Sequence, residues 1–140
     1  MEEETTQLEH RRIDDLISDD QHEWGTEQAS FIGTWTNTNP TSNQIASVEV
    51  TEDGDQIYMR CFGVGPDGLI DWGISECSLY SSKVNSPVIE GFSSAFDFGF
   101  MKTMVAGNVK YGVMVIQTYN QFLDKSERNN YFSREFFCQM

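Results

Sequence analysis

This chain has little with which to do conventional catalysis. Its two histidines, His10 and His22, both fall before residue 31. The rest of the chain therefore has no base for Ser-His-Asp or Cys-His nucleophilic chemistry. Three cysteines, Cys61, Cys77 and Cys138, cannot all pair with one another, and none stands in a C-x-x-C. Reduced, mostly buried thiols are the expectation. No group of His, Cys and carboxylate has metal-ligand spacing. Glu52-Asp53-Gly54-Asp55 lacks the other positions of a calcium loop and reads as a hairpin turn. The glycines of GVGPDG lack the lysine of a phosphate loop and the helix of a dinucleotide site. Pro66-Asp67-Gly68 makes that segment a turn. Hydride transfer, phosphoryl transfer and hydrolysis by the usual residues thus have no support, and no metal or cofactor is expected.

Membrane signals and basic charge are also scarce. No run of about 18 apolar residues exists, so no spanning helix is expected. The opening MEEETTQLEH has neither a basic nor an apolar leader region, which predicts a cytoplasmic protein. Nine Lys and Arg face 22 Asp and Glu, for a formal charge of −13. Residues 1–30 hold ten acids and two bases, a local balance of −8, which leaves −5 for the remainder. Phosphate binding needs a basic face, so nucleic acid and anionic membranes are disfavoured partners. A small hydrophobic or amphiphilic molecule is easier to accommodate. Nothing fixes the oligomeric state, and a homodimer is admissible.

What the chain does contain divides near residue 30. Thr6-Gln7-Leu8-Glu9 fits a capping box, and acids crowd the first turn, where the helix dipole favours them. Leu8, Ile13, Leu16 and Ile17 form a narrow apolar stripe, and Gly25 is a stop. An acidic helical arm over 1–30 is predicted, too marginal to stand alone. Residues 31–140 instead show eight short β-runs: 31–38, 44–51, 56–63, 69–79, 88–97, 99–107, 111–122 and 130–139. Turn signals separate them, including NPTSN, EDGD, VGPDG, SSKVNSP, GNVK and DKSERNN. Short breaks favour antiparallel neighbours. The expected fold is all-β: an eight-stranded antiparallel up-and-down barrel, with a two-sheet sandwich as its rival.

Gly33-Thr34-Trp35, opening the first strand, resembles the G-x-W signature of calycin barrels, the lipocalin and avidin group. That resemblance implies a tryptophan lying across the closed barrel end, under an arginine from the last strand region. Arg128 and Arg134 are the candidates, and their cation–π contact would be favourable. The strings GTWTNTNP, GPDGLIDWG, FDFGF and RNNYFSREFF are similar to small bacterial barrel proteins. An acidic N-terminal helix before a small barrel also resembles the layout of the spirotetronate and spirotetramate cyclases. Those cofactor-free barrels fold a linear polyene for [4+2] cycloaddition beneath an N-terminal lid.

Strand alternation assigns an expected inner face. It groups Ile70, Trp72, Ile74 and Glu76 in one strand, and Glu90, Phe92, Ser94 and Phe96 in another. Phe132, Arg134, Phe136 and Cys138 form a third set. In 111–122 both sets are open: Val113, Val115, Gln117 and Tyr119, or Met114, Ile116 and Thr118. A charge inside a barrel needs a partner. Glu76 or Glu90 with Arg134 would supply one, or these charges sit at strand ends in water. Apolar walls from Trp72, Phe92, Phe96, Met114 and Phe136 suit a hydrocarbon-rich ligand. Gln117 or Tyr119 would donate to a conjugated carbonyl, and confinement would lower the entropic barrier. Leu8, Ile13, Leu16 and Ile17 would close the mouth. The expected function is a cofactor-independent cyclase acting on a polyketide-type polyene. The alternatives are a calycin-like carrier of a small hydrophobic ligand, or an interaction protein whose acidic arm docks on a basic partner.

Overall fold

A computed structural model describes residues 31–139, and the predicted arm with its Leu8, Ile13, Leu16 and Ile17 stripe lies outside them. Nine strands follow in chain order: β1 Gly33–Asn37, β2 Ile45–Asp53, β3 Gln56–Gly65, β4 Gly68–Glu76, β5 Ser78–Tyr80, β6 Gly91–Asp97, β7 Met101–Lys110, β8 Val113–Phe122 and β9 Tyr131–Gln139. Among the described residues none is α-helical, and no helix there is long and apolar enough to cross a membrane. The strands form one antiparallel sheet in the order β4-β3-β2-β1-β9-β8-β7-β6-β5. Consecutive strands pair throughout, as short connections dictate, except β4 and β5, which end the sheet at opposite edges; the one pairing distant in sequence is β1 with β9.

The predicted run 69–79 accounts for the ninth strand. It breaks at Cys77, whose N–H donates to the Ile57 carbonyl at 2.8 Å. Before the break β4 pairs with β3; after it β5 pairs with β6. One continuous stretch of chain thus touches both ends of the sheet and brings them together as a nearly closed barrel. Side chains stitch the seam between β4 and β6. The Ser75 hydroxyl donates to the Ala95 carbonyl at 2.6 Å, and Ser94 Oγ donates to the Glu76 carbonyl at 3.0 Å. Near-closure leaves few unpaired edge groups for another chain to pair with.

Turn chemistry follows the sequence at Gly54-Asp55 and Pro66-Asp67, which join β2 to β3 and β3 to β4. It departs at GNVK, which continues β7. The two-residue turn is Tyr111-Gly112, with φ of +54° and +78°. Both values match the mirror-image hairpin turn that suits strand twist.

Alternate residues point into the barrel and fill it. Trp35, Val48, Met59, Cys61, Val105, Met114, Ile116 and Phe137 are all fully buried in one cluster. Trp35 belongs to this core, but the arginine expected above it lies elsewhere. Its indole N–H donates to the Phe31 carbonyl at 3.0 Å. Arg128 instead covers the Phe122 ring at 4.2 Å and bonds Asp124 at 2.7 Å. Arg134 stands on the outside of β9. One short polar network sits within the core. Thr103 Oγ1 donates to Asn120 Oδ1 at 2.7 Å, Asn120 Nδ2 donates to Thr118 Oγ1 at 3.3 Å, and Thr118 and Ser133 share a hydroxyl pair at 2.5 Å. Such groups are tolerated inside because they satisfy one another.

Candidate functional site

The strand alternation that builds the core also decides where each candidate side chain points. In β8 the inward set is Met114, Ile116, Thr118 and Asn120. Val115, Gln117 and Tyr119 therefore face outward. In β6 Phe92, Ser94 and Phe96 point inward, as the period predicts, and all three are buried.

Two groupings need correction. In β9 the inward residues are Ser133, Glu135 and Phe137, and Glu135 accepts a 2.7 Å hydrogen bond from Ser42. Phe132, Arg134 and Phe136 consequently lie on the outer face, with Phe132 67% exposed. The outward set is the more apolar one, which inverts the usual reading of alternation. In β4 a β-bulge splits the expected set. Arg60 pairs with Ile74 and Phe62 with Asp71, so Trp72 and Gly73 together oppose Cys61. Gly73 holds φ +90° there, which a residue with a Cβ rarely adopts. Trp72 stays with the core, packing edge-on against Phe96 at 5.5 Å and Phe98 at 5.2 Å. Ile74 and Glu76 are turned outward and exposed. The bulge is pinned by Asp71, which accepts from the Gly73 N–H at 2.8 Å and pairs with Arg60. The Arg60 contact and the Gly73 N–H hold the Asp71 carboxyl below its usual range.

No buried Glu–Arg pair forms from Glu76, Glu90 and Arg134, because all three are exposed. Glu90 instead accepts from the Ser82 N–H at 3.1 Å. Solvation at the surface is cheaper than burying the pair.

The structure nonetheless brings several of the candidates together, on the outside. Two adjoining depressions lie over β6 to β9, of about 510 and about 560 Å³. They share Met104 and Tyr119. Cross-strand register builds them as rows. Ser93, Ala106, Gln117 and Arg134 are successive partners in one row. Ala95, Met104, Tyr119 and Phe132 are successive partners in the next. Small residues at Gly91 and Ala106 lower the floor, and on the inward side a Cβ on Gly107 would meet the Val115 carbonyl oxygen and the Phe92 ring within 2.7 Å. Tyr80, Met104, Tyr119 and Phe132 raise the walls, each about half exposed or more. Tyr119 and Phe132 stack at 6.4 Å between ring centres.

The polar groups in this groove are wired in one direction. Arg134 Nε donates to Gln117 Oε1 at 3.3 Å, and Gln117 Nε2 donates to Tyr119 Oη at 2.6 Å. An arginine can only donate, so the Gln117 oxygen must face it and the amide must face Tyr119. The Tyr119 hydroxyl is thereby an acceptor within the chain, and its own hydrogen is left to donate outward. Both ends of the relay present donors.

Of the earlier candidates, Gln117, Tyr119, Arg134 and Phe92 line this groove. Met114, Phe96 and Trp72 belong to the core, while Phe136 lies on the outer face directly opposite Val115. Met104, Ala106 and Ser93 are groove residues that sequence reasoning does not single out, and Phe132, which alternation sets on one face with Arg134, joins them on the outside. The signal that finds them is the cross-strand register, which a single sequence does not carry. Charge is distributed unevenly around the groove: Lys102 and Arg134 line it, and no Asp or Glu does. Comparisons with family models, with curated proteins and with solved structures find no match.

Proposed function

We propose that this chain is a binding barrel that takes a small amphiphilic molecule on its outer face. The observation that supports this is the joined groove over β6 to β9. It combines exposed apolar walls with an aligned relay of donors, in a protein whose sequence carries 22 Asp and Glu against nine Lys and Arg. Its size falls in the range of small-molecule sites, and so does its make-up of apolar walls around a few convergent polar groups. Calycin barrels carry ligand inside, and the Gly33-Thr34-Trp35 likeness supports a ligand-carrying role. The interior around Trp35, Met59 and Met114 is occupied by buried side chains, which favours a site on the outer face.

The test is binding of Nile red, a neutral apolar dye, followed by fluorescence. The parent protein should enhance the dye's emission. Ala106→Trp, which fills the groove floor from an outward-facing position, should abolish that enhancement while leaving the thermal unfolding midpoint unchanged. Equal enhancement in both proteins would refute the site.

A cofactor-free cyclase is the second reading, and the free Tyr119 hydrogen favours it. A donor beside an apolar wall would activate a conjugated carbonyl. That reading ranks second because the groove is open to water, whereas such a reaction draws on confinement. Conversion of a linear polyene bearing a conjugated carbonyl, lost in Tyr119→Phe, would promote it to first.

A further inference from the structure

We infer that the molecule taken by this groove is an amphiphilic anion, a carboxylate on an apolar chain, with its head group held by Arg134 and the Tyr119 hydroxyl. This rests on the binding reading above and names its ligand class. Three observations carry it.

The first is the sign of the local charge. The chain bears −13, yet Lys102 and Arg134 are the charged residues lining the groove. An apolar surface with cations and no carboxylate is complementary to an anion, and that complementarity selects against cationic amphiphiles.

The second is the direction of the relay. Gln117 spends its oxygen on Arg134 and its amide on Tyr119. The groups left over are guanidinium N–H donors and one phenolic O–H, all donors. A carboxylate accepts from both, and a planar guanidinium matches its two oxygens. A ligand head that must donate finds no complementary partner in that relay.

The third is the choice between the two cations. Lys102 stands directly opposite Asp97 in the β6–β7 ladder. Arg134 has Gln117 opposite it, and its chain neighbour Glu135 points through to the other face, where it binds Ser42. Arg134 is therefore the stronger positive centre for an incoming ion. Along β9 it sits between the outward rings of Phe132 and Phe136, both about half exposed or more. A head group at Arg134 leaves the apolar tail to run over Met104 and Phe132, one row and roughly 7 Å along the strand.

The experiment is calorimetric titration of the full chain with decanoate, decanol and decyltrimethylammonium, each below its aggregation threshold and at low salt. Decanoate should bind at least tenfold more tightly than decanol, and the cationic probe more weakly than either. Arg134→Gln should weaken decanoate about tenfold and leave decanol unchanged, with Arg134→Lys recovering part of the loss. The preference should shrink as salt rises. If decanol binds as well as decanoate and Ala106→Trp abolishes both, the groove stands and the anionic class falls. If Ala106→Trp leaves all binding intact, the groove itself is refuted. Tighter binding of the cationic probe would overturn the inference outright.

Discussion

Gln117 donates its side-chain amide to the Tyr119 hydroxyl over 2.6 Å, two residues along the same strand and on the same outer face. The bond is short, and Arg134 fixes its direction from the far side of Gln117. Tyr119→Phe removes the outward donor without touching the core. Stability should change by no more than about 0.5 kcal/mol, as for most surface positions. Decanoate binding should weaken by about 1.5 kcal/mol, the worth of a hydrogen bond to a charged group and about tenfold in affinity. Calorimetry reads both. An unchanged affinity would remove Tyr119 from the site.

Asn120 is the hub of the buried polar network, taking a hydrogen bond from Thr103 and giving one to Thr118. Asn120→Ala would leave the Thr103 hydroxyl without its acceptor inside the barrel, while Thr118 keeps its bond to Ser133. The expected cost is about 1–3 kcal/mol, measured by urea unfolding. Thr103→Val together with Asn120→Leu, which removes a donor and its acceptor at once, should cost less than the single change.

Asp71 titrates against the bulge at Trp72 and Gly73. Its carboxyl is held below the usual range in the folded state by Arg60 and the Gly73 N–H. A depressed folded pKa means the contribution to stability is present above the unfolded pKa and is lost as pH falls through the folded one. Asp71→Asn should therefore lower the melting temperature slightly at pH 7, and parent and variant should converge as pH drops below the normal carboxylate range. The pair is exposed, so added salt should also narrow the gap. A gap that persists at low pH would show that the carboxylate charge does not hold the bulge.

The Tyr111 side chain is 93% exposed and its φ is +54°. A tyrosine there is strained, whereas asparagine adopts that region readily. Tyr111→Asn should stabilise the barrel by about 0.5–1 kcal/mol in urea unfolding. Loss of stability would mean the ring contributes a contact, such as the one it makes beneath Lys110.

Burial pushes the Cys77 thiol up to about 11, and drives Cys61 upward as well. Alkylation needs the thiolate. At pH 8 iodoacetamide should leave both unmodified in the folded protein over a period that labels all three cysteines in denaturant. Mass spectrometry of peptides distinguishes them. Rapid native labelling of Cys77 would indicate that the β4–β5 break opens readily.

Strand content, antiparallel order and the turns at Gly54-Asp55 and Pro66-Asp67 were legible in the sequence, because short β-runs between turn residues leave few other folds. The inward placement of Phe92 and Phe96 was legible for the same reason. Alternation failed in β9, where the more apolar set of Phe132, Arg134 and Phe136 faces out. It was undecided in β8, where Val115 and Tyr119 on one face rival Met114 and Ile116 on the other. Both strands border the groove, whose outer face carries the apolar side chains of Val115, Tyr119, Phe132 and Phe136.

The sequence by itself determined an acidic chain without barrel histidines, built from short strands that must close to hide their edges. Those are consequences of composition and local backbone preference. Only the tertiary structure decided which side of each strand meets the core. A period of two divides residues into faces and is silent on which face is inside. The seam at Cys77, the bulge at Gly73 and the register from Ser93 to Arg134 make that choice, and they rest on contacts between residues far apart in the chain.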